Sequence, residues 1–178
     1  MLPLTLIVLV IVVLYLYNSL VQLKVRAEGA WSDIDVQLKR RHDLIPNLVE
    51  TVKGYAAHEQ GTLDSVVSAR SRAMNAEGPA ARADAENMLT GALKSLFALA
   101  EAYPQLRAVE TFGQLQQQLA QIEDAIQNAR RYYNAVVRDL NTKVLQFPSN
   151  LVARAFGFRE REFFEIAETE RSVPNVSF

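Results

Sequence analysis

The chain has no cysteine and only two histidines, His42 and His58, in 178 residues. The first absence excludes disulfide staples and thiol chemistry; the second leaves few of the usual metal ligands and proton carriers. There is no Gly-rich phosphate loop, no Gly-x-Ser-x-Gly elbow and no His-Glu-x-x-His zinc helix. The Glu-x-x-His pair of a di-iron bundle is missing too, because Lys39 and Tyr55 stand three residues before the two histidines. On one ideal helix those histidines would lie about 160° apart, so they cannot share a metal within one monomer. Each is expected to be solvated or to cap a helix. Charge of one sign is also lacking: 19 basic against 20 acidic residues leave no electrostatic footprint for nucleic acid. The expectation is a protein that is not an enzyme and binds no cofactor, metal or nucleic acid; seven Gly and six Pro, with abundant Ala, Leu, Glu, Gln and Arg, favour helix over sheet.

What is present begins at once. Residues 1–23 carry no charged side chain, and from Leu4 to Tyr17 only Thr5 is not apolar. A helix of this length spans roughly 33 Å, enough to cross a hydrocarbon core of about 30 Å. A cleaved secretory signal would need a basic segment before the run and a small-residue site directly after it. Neither is found. Tyr15 and Tyr17 suit the aromatic belt of a membrane interface, and Lys24, Arg26, Lys39, Arg40 and Arg41 all follow the span. That asymmetry predicts an anchor with its amino terminus outside and its carboxyl-terminal domain in the cytoplasm.

Helical periodicity runs on from the anchor without a break. Leu20, Leu23, Ala27, Ala30, Trp31, Ile34, Leu38, Ile45, Leu48, Val49, Val52, Tyr55 and Ala56 recur on a helical stripe, and Leu63, Val66, Val67, Arg70 and Met74 extend it. One arm reaching Asn75 is expected, bent near Leu44 and Ile45 by Pro46 and weakened by Gly54 and Gly61. Asn75-Ala76-Glu77-Gly78-Pro79 is the clearest turn signal. A second arm follows from Ala80 to Tyr103, then a short connection over 104–110. The third arm opens at Thr111, spaced for a capping box with Gln114. It carries a heptad seam of Phe112, Leu115, Leu119, Ile122, Ile126, Ala129, Tyr133, Val136 and Leu140, and ends at Phe147-Pro148. Such a seam is first an intramolecular core; adjacent Tyr132 and Tyr133 cannot both face it.

Residues 149–178 are too apolar for a disordered tail. They are expected to dock on the bundle, with short helices at 150–156 and 160–168 and an extended end from Pro174 to Phe178. The predicted fold is all-α: a transmembrane anchor (1–23) continuous with a long antiparallel, coiled-coil-like helical bundle (24–148), then a short helical docking tail (149–178).

Several runs resemble the LemA family: Tyr17-Asn18-Ser19-Leu20-Val21, the stretch from Ala30 to Val49 (AWSDIDVQLKRRHDLIPNLV), Ala102-Tyr103-Pro104-Gln105-Leu106, Ala129-Arg130-Arg131-Tyr132-Tyr133-Asn134, Phe147-Pro148-Ser149-Asn150-Leu151, Gly157-Phe158 and Pro174-Asn175-Val176-Ser177-Phe178. The resemblance implies a bacterial single-pass protein of the inner membrane, with its amino terminus outside and a bundle of long helices in the cytoplasm. It supplies no catalytic residues. It also implies an association with membrane shaping, and with membrane proteases or TPM-domain proteins as partners.

The most unusual segment is Lys39-Arg40-Arg41-His42-Asp43-Leu44-Ile45-Pro46-Asn47. Its plain reading is a solvated helix face with Asp43 paired to Lys39. Its functional reading is a partner-binding site of Lys39, Arg40, Arg41, Asp43 and Asn47. The expected partners are the lipid bilayer, further copies of the chain in a homo-oligomer, and a membrane protease or TPM-domain protein. The expected function is a self-associating scaffold at the cytoplasmic face. A regulatory adaptor for a membrane protease or signalling protein is the alternative.

Overall fold

A computed structural model describes residues 2–165. Six helices order them, with no strand among the described residues: α1 (Leu2–Lys53), α2 (Gln60–Asn75), α3 (Pro79–Glu101), α4 (Pro104–Arg107), α5 (Glu110–Leu145) and α6 (Ser149–Ala155). The all-α expectation holds. The chain forms two compact units. One, the anchored unit, comprises residues 1–44 and 116–163; the other, the hairpin unit, comprises residues 45–115 with the described end of the tail from Phe164.

α1 is one helix of 52 residues, and Pro46 lies inside it. Its character changes along its length. Leu4, Leu6 to Val12, Leu14 and Tyr15 are exposed, and only 6% of the most apolar stretch is buried, so this is not a core helix. From Leu16 onward burial becomes periodic: Leu16, Leu20, Ala27, Ala30, Ile34 and Leu38 point inward. Each of these leucine and isoleucine side chains removed from water contributes about 1.5–3 kcal/mol, and each alanine methyl about 0.8.

In the anchored unit α1 runs antiparallel to α5. Arg41 meets Glu123, Trp31 stacks on Tyr133 at 5.3 Å between ring centroids, and Leu16 and Leu20 share a cluster with Val136, Leu140, Val152 and Ala153. α6 is fastened to the end of α5 by Ser149, whose hydroxyl lies 2.6 Å from the Lys143 carbonyl and 2.8 Å from that of Gln146. It ends at Gly157, with φ of 74°. The Phe158 amide donates to the Ala153 carbonyl and the Gly157 amide to that of Arg154. This is a glycine-terminated helix end, in which the left-handed residue turns the chain back over its own last turn. Phe158 thereby returns to Tyr17, 5.8 Å between centroids.

In the hairpin unit α2 and α3 pair across the Gly78-Pro79 turn, where Gly78 takes φ of 81° and Pro79 opens α3. Their buried faces are built largely from small residues: Ala69 and Ala73 on α2, and Ala83, Ala85, Ala92 and Ala100 on α3, beside Leu63, Val66, Leu89, Leu93 and Leu96. The Tyr103 hydroxyl, just past α3, donates to Glu59 just before α2, and Phe97 meets Phe112 edge-on. The antiparallel sense of the hairpin follows.

Four expectations need correction. The first arm does not reach Asn75. It stops at Lys53, where Gly54, a poor helix former, leads into turns that bury Ala56 completely, and α2 starts afresh at Gln60. No capping box forms at Thr111, because α5 begins at Glu110 and the Gln114 amide donates to the Glu110 carboxylate instead. His42 is buried rather than solvated. Residues 160–165 are not helical; the rest of the second tail helix and the extended end lie outside the described residues. Other expectations fare well. Most of the heptad seam is buried, Tyr133 is 1% exposed while Tyr132 points outward, and α6 sits where a helix over 150–156 was expected.

Candidate functional site

Burial divides the segment singled out by the sequence. Lys39, Arg40 and Asp43 are exposed in the anchored unit, whereas Arg41 beside them is buried; Asn47 is exposed and belongs to the hairpin unit. The Lys39 ammonium pairs with Asp43 at 2.7 Å, one helical turn on. The Arg41 guanidinium lies 3.5 Å from Glu123 with its side chain only 4% exposed. Its burial had a signal in the sequence. The steps Ile34, Leu38, Ile45, Leu48, Val52 skip one position in the stripe, and Arg41 fills it.

The anchored unit also holds a group that periodicity does not reveal. After Phe158 the chain crosses α5 as an irregular strap. The Asn141 side-chain amide donates to the Arg161 carbonyl (2.9 Å), and the Arg161 amide donates back to Asn141 Oδ1 (2.8 Å). The Tyr133 hydroxyl donates to the Glu162 carbonyl at 3.0 Å. The Arg161 guanidinium reaches Glu28 of α1 at 2.8 Å. Burial pushes the Tyr133 phenol above its ordinary value; Arg161 opposes the shift and Glu162 adds to it. Three side chains thus lock the tail to both long helices.

Beneath the strap is a cleft of about 560 Å³ whose lining includes Tyr17, Lys24, Glu28, Phe156, Phe158 and Arg161. A second cleft, about 360 Å³, is lined by Ser19, Gln22, Arg26, Asp139, Lys143 and Gln146 among others. Both lie beside α1 just past its apolar run. Among the described residues no group of three or more His, Cys, Asp or Glu side chains is placed to hold a metal ion. What the arrangement can do is hold surfaces: aromatic rings and alkyl stems carrying charged tips beside a long apolar helix.

The geometry defines an all-α protein with, among the described residues, one helix long and apolar enough to cross a membrane, fastened along its polar continuation to an antiparallel partner. The sequence model of the LemA family matches residues 30–178, and the chain belongs to that family. It is similar to magnetosome protein MamQ 2 of Paramagnetospirillum magneticum, 26% identical over 175 residues, which cover 84% of this chain and 64% of that protein. It is also similar to magnetosome protein MamQ of Magnetospirillum gryphiswaldense (25% over 187 residues, 90% and 69%) and to protein LemA of Metamycoplasma hominis (27% over 158 residues, 86% and 71%). The chain spans 64% of the length of the Paramagnetospirillum relative, a little under two thirds.

Proposed function

We propose that the chain is a non-enzymatic, membrane-anchored helical scaffold that self-associates and organises protein partners or membrane at the cytoplasmic face. The observation that carries this reading is the unbroken course of α1 from Leu2 to Lys53. A span that continues as a packed arm ties the pose of the anchored unit to the bilayer, whereas a flexible tether would not. The basic residues Lys24 and Arg26 directly after the span support the cytoplasmic placement. Two of the relatives named above are called after a cell structure, the magnetosome, and not after a reaction, which accords with an organising role.

Self-association has its own support on α1. Val25, Gly29, Ser32 and Val36 are exposed and follow one another by four, three and four residues, so they form a single stripe away from the α5 interface. A side chain at Gly29 would meet nothing within 4 Å, so a second helix can approach closely there. Copies held in one membrane need only weak contacts, because confinement raises their effective concentration. Mass measurement on the full chain extracted in mild detergent tests the reading. A large, uniform oligomer that V36D disperses is the expected result, and a strict monomer at all concentrations contradicts it. The adaptor alternative draws on the exposure of Arg40. Arg40→Glu would then abolish capture of a protease or signalling partner without unfolding the chain, and unchanged capture would remove that alternative.

A further inference from the structure

We propose that the elbow joining α5 to α6 enters the interfacial layer of the same bilayer that α1 crosses, giving the anchored unit a second membrane contact. The argument begins with depth. The apolar run of α1 ends at Tyr17 and its uncharged stretch at Leu23. The rise between them is about 9 Å, comparable to the roughly 5–8 Å that headgroups add to each side of the hydrocarbon core. α6 and the end of α5 pack against this level of α1: Val152 and Ala153 share a cluster with Leu16 and Leu20, Val13 and Val144 flank it, and Phe156 meets Tyr17 at 4.9 Å between centroids. Whatever surrounds α1 there surrounds the elbow as well.

The elbow is dressed for that layer. Leu145, Phe147, Leu151 and Phe156 are 61%, 74%, 59% and 57% exposed, a concentration of large apolar side chains unusual on a surface facing water. Leu151 lies on the outer side of a segment whose inner side, Val152 and Ala153, is already satisfied by α1, while Phe156 carries the apolar surface across to Tyr17. Charge decides between lipid and a protein occupant. From Leu140 to Arg159 there is no acidic residue, while Lys143, Arg154 and Arg159 are basic; on α1 no acidic residue precedes Glu28, while Lys24 and Arg26 are basic. Apolar wedges ringed by cations match anionic headgroups over acyl chains, and a second copy of the same cationic surface would be repelled.

The inference rests on α1 crossing the bilayer but does not need self-association. The absence of cysteine allows clean single labels on the full chain. Nitroxides at Phe147→Cys and Leu151→Cys, both outward-facing, would be placed in vesicles of phosphatidylethanolamine and phosphatidylglycerol, with Leu9→Cys in the span and the exposed Gln118→Cys as references. Collision with oxygen relative to a water-soluble nickel chelate should be severalfold higher at 147 and 151 than at 118, and lower than at 9. Aqueous values at both elbow positions, with the Leu9 label in lipid, would overturn the proposal and leave the anchor standing. Spin–spin broadening at 147 and 151 that unlabelled chain relieves, with oxygen access as low as at 118, would overturn it in favour of a second copy. An aqueous label at Leu9 would defeat the membrane reading itself.

Discussion

The two units solve helix packing in different ways. The anchored unit is closed by large and directional groups: Trp31 on Tyr133, Arg41 against Glu123, and a strap tied by Asn141, Tyr133 and Arg161. The hairpin unit is closed mainly by alanines and leucines across α2 and α3, with the Glu86 side chain buried among them. Small residues let two helices approach closely but specify little beyond that. Aromatic and charged pairs fix register, since each works at one position only. In the unit that contains the membrane span such pairs join both long helices and the tail, which suits an element that must hold a pose against a bilayer.

Breaking the ring stack should have the largest effect. Trp31→Ala, which removes a half-buried ring and its stack, is expected to cost about 2–3 kcal/mol, visible by denaturation with helical signal as the probe and as lost amide protection along the 116–145 part of α5. If protection drops instead along α2 and α3, the division of labour is wrong. Overpacking the other unit sharpens the contrast: Ala73, 1% exposed, replaced by leucine should cost about 1–3 kcal/mol and loosen residues 60–101 in hydrogen exchange first. Adjacent arginines offer an internal control. Arg41→Ala should cost about 1–3 kcal/mol, because it leaves Glu123 without its buried partner, whereas Arg40→Ala on the exposed face should stay within about 0.5 kcal/mol; equal melting temperatures would contradict the buried placement of Arg41.

Smaller effects come from the strap. The Arg161 to Glu28 pair is partly exposed, at 29% and 49%, so Arg161→Ala should cost only about 0.2–1 kcal/mol, and less in high salt. Tyr133 adds a pH dependence. Its folded phenol is raised above 10.0, so the folded state holds this proton more tightly than the unfolded chain does. The resulting stabilisation is complete below 10.0 and is lost as pH rises from there through the folded value. Tyr133→Phe lacks that loss, so its melting deficit relative to wild type should narrow as pH climbs beyond 10. A deficit that widens there would mean the phenol is not buried as described.

The contrast also explains what could be read from the residues alone. Periodic burial is local information, so the continuous start of α1, the turn at Gly78-Pro79, the α5 seam and the opposite fates of Tyr132 and Tyr133 were all accessible to pattern. Arg41 was accessible too, through its place in the stripe, but its charge masked it. The break after Lys53 depends on how completely Ala56 is drawn into the core, a tertiary gain that outweighs a modest propensity preference. The strap was out of reach because its bonds join Asn141 to Arg161 and Arg161 to Glu28, pairs far apart in the chain that follow no period. The net cationic surface around the α5–α6 elbow is plain in the sequence only once packing puts Phe156 beside Tyr17.

The central claim is that the membrane span and the first packed arm are one helix, with no joint between them. Residue-resolved amide hydrogen exchange of the full chain in lipid nanodiscs tests it most directly at Asn18 to Lys24, where the span leaves the hydrocarbon and the packed arm begins. The account predicts protection that passes through these residues without a gap and continues to Lys53. A fast-exchanging stretch between Tyr17 and Ala27, flanked by protected residues on both sides, would show a tether in place of an arm and contradict it.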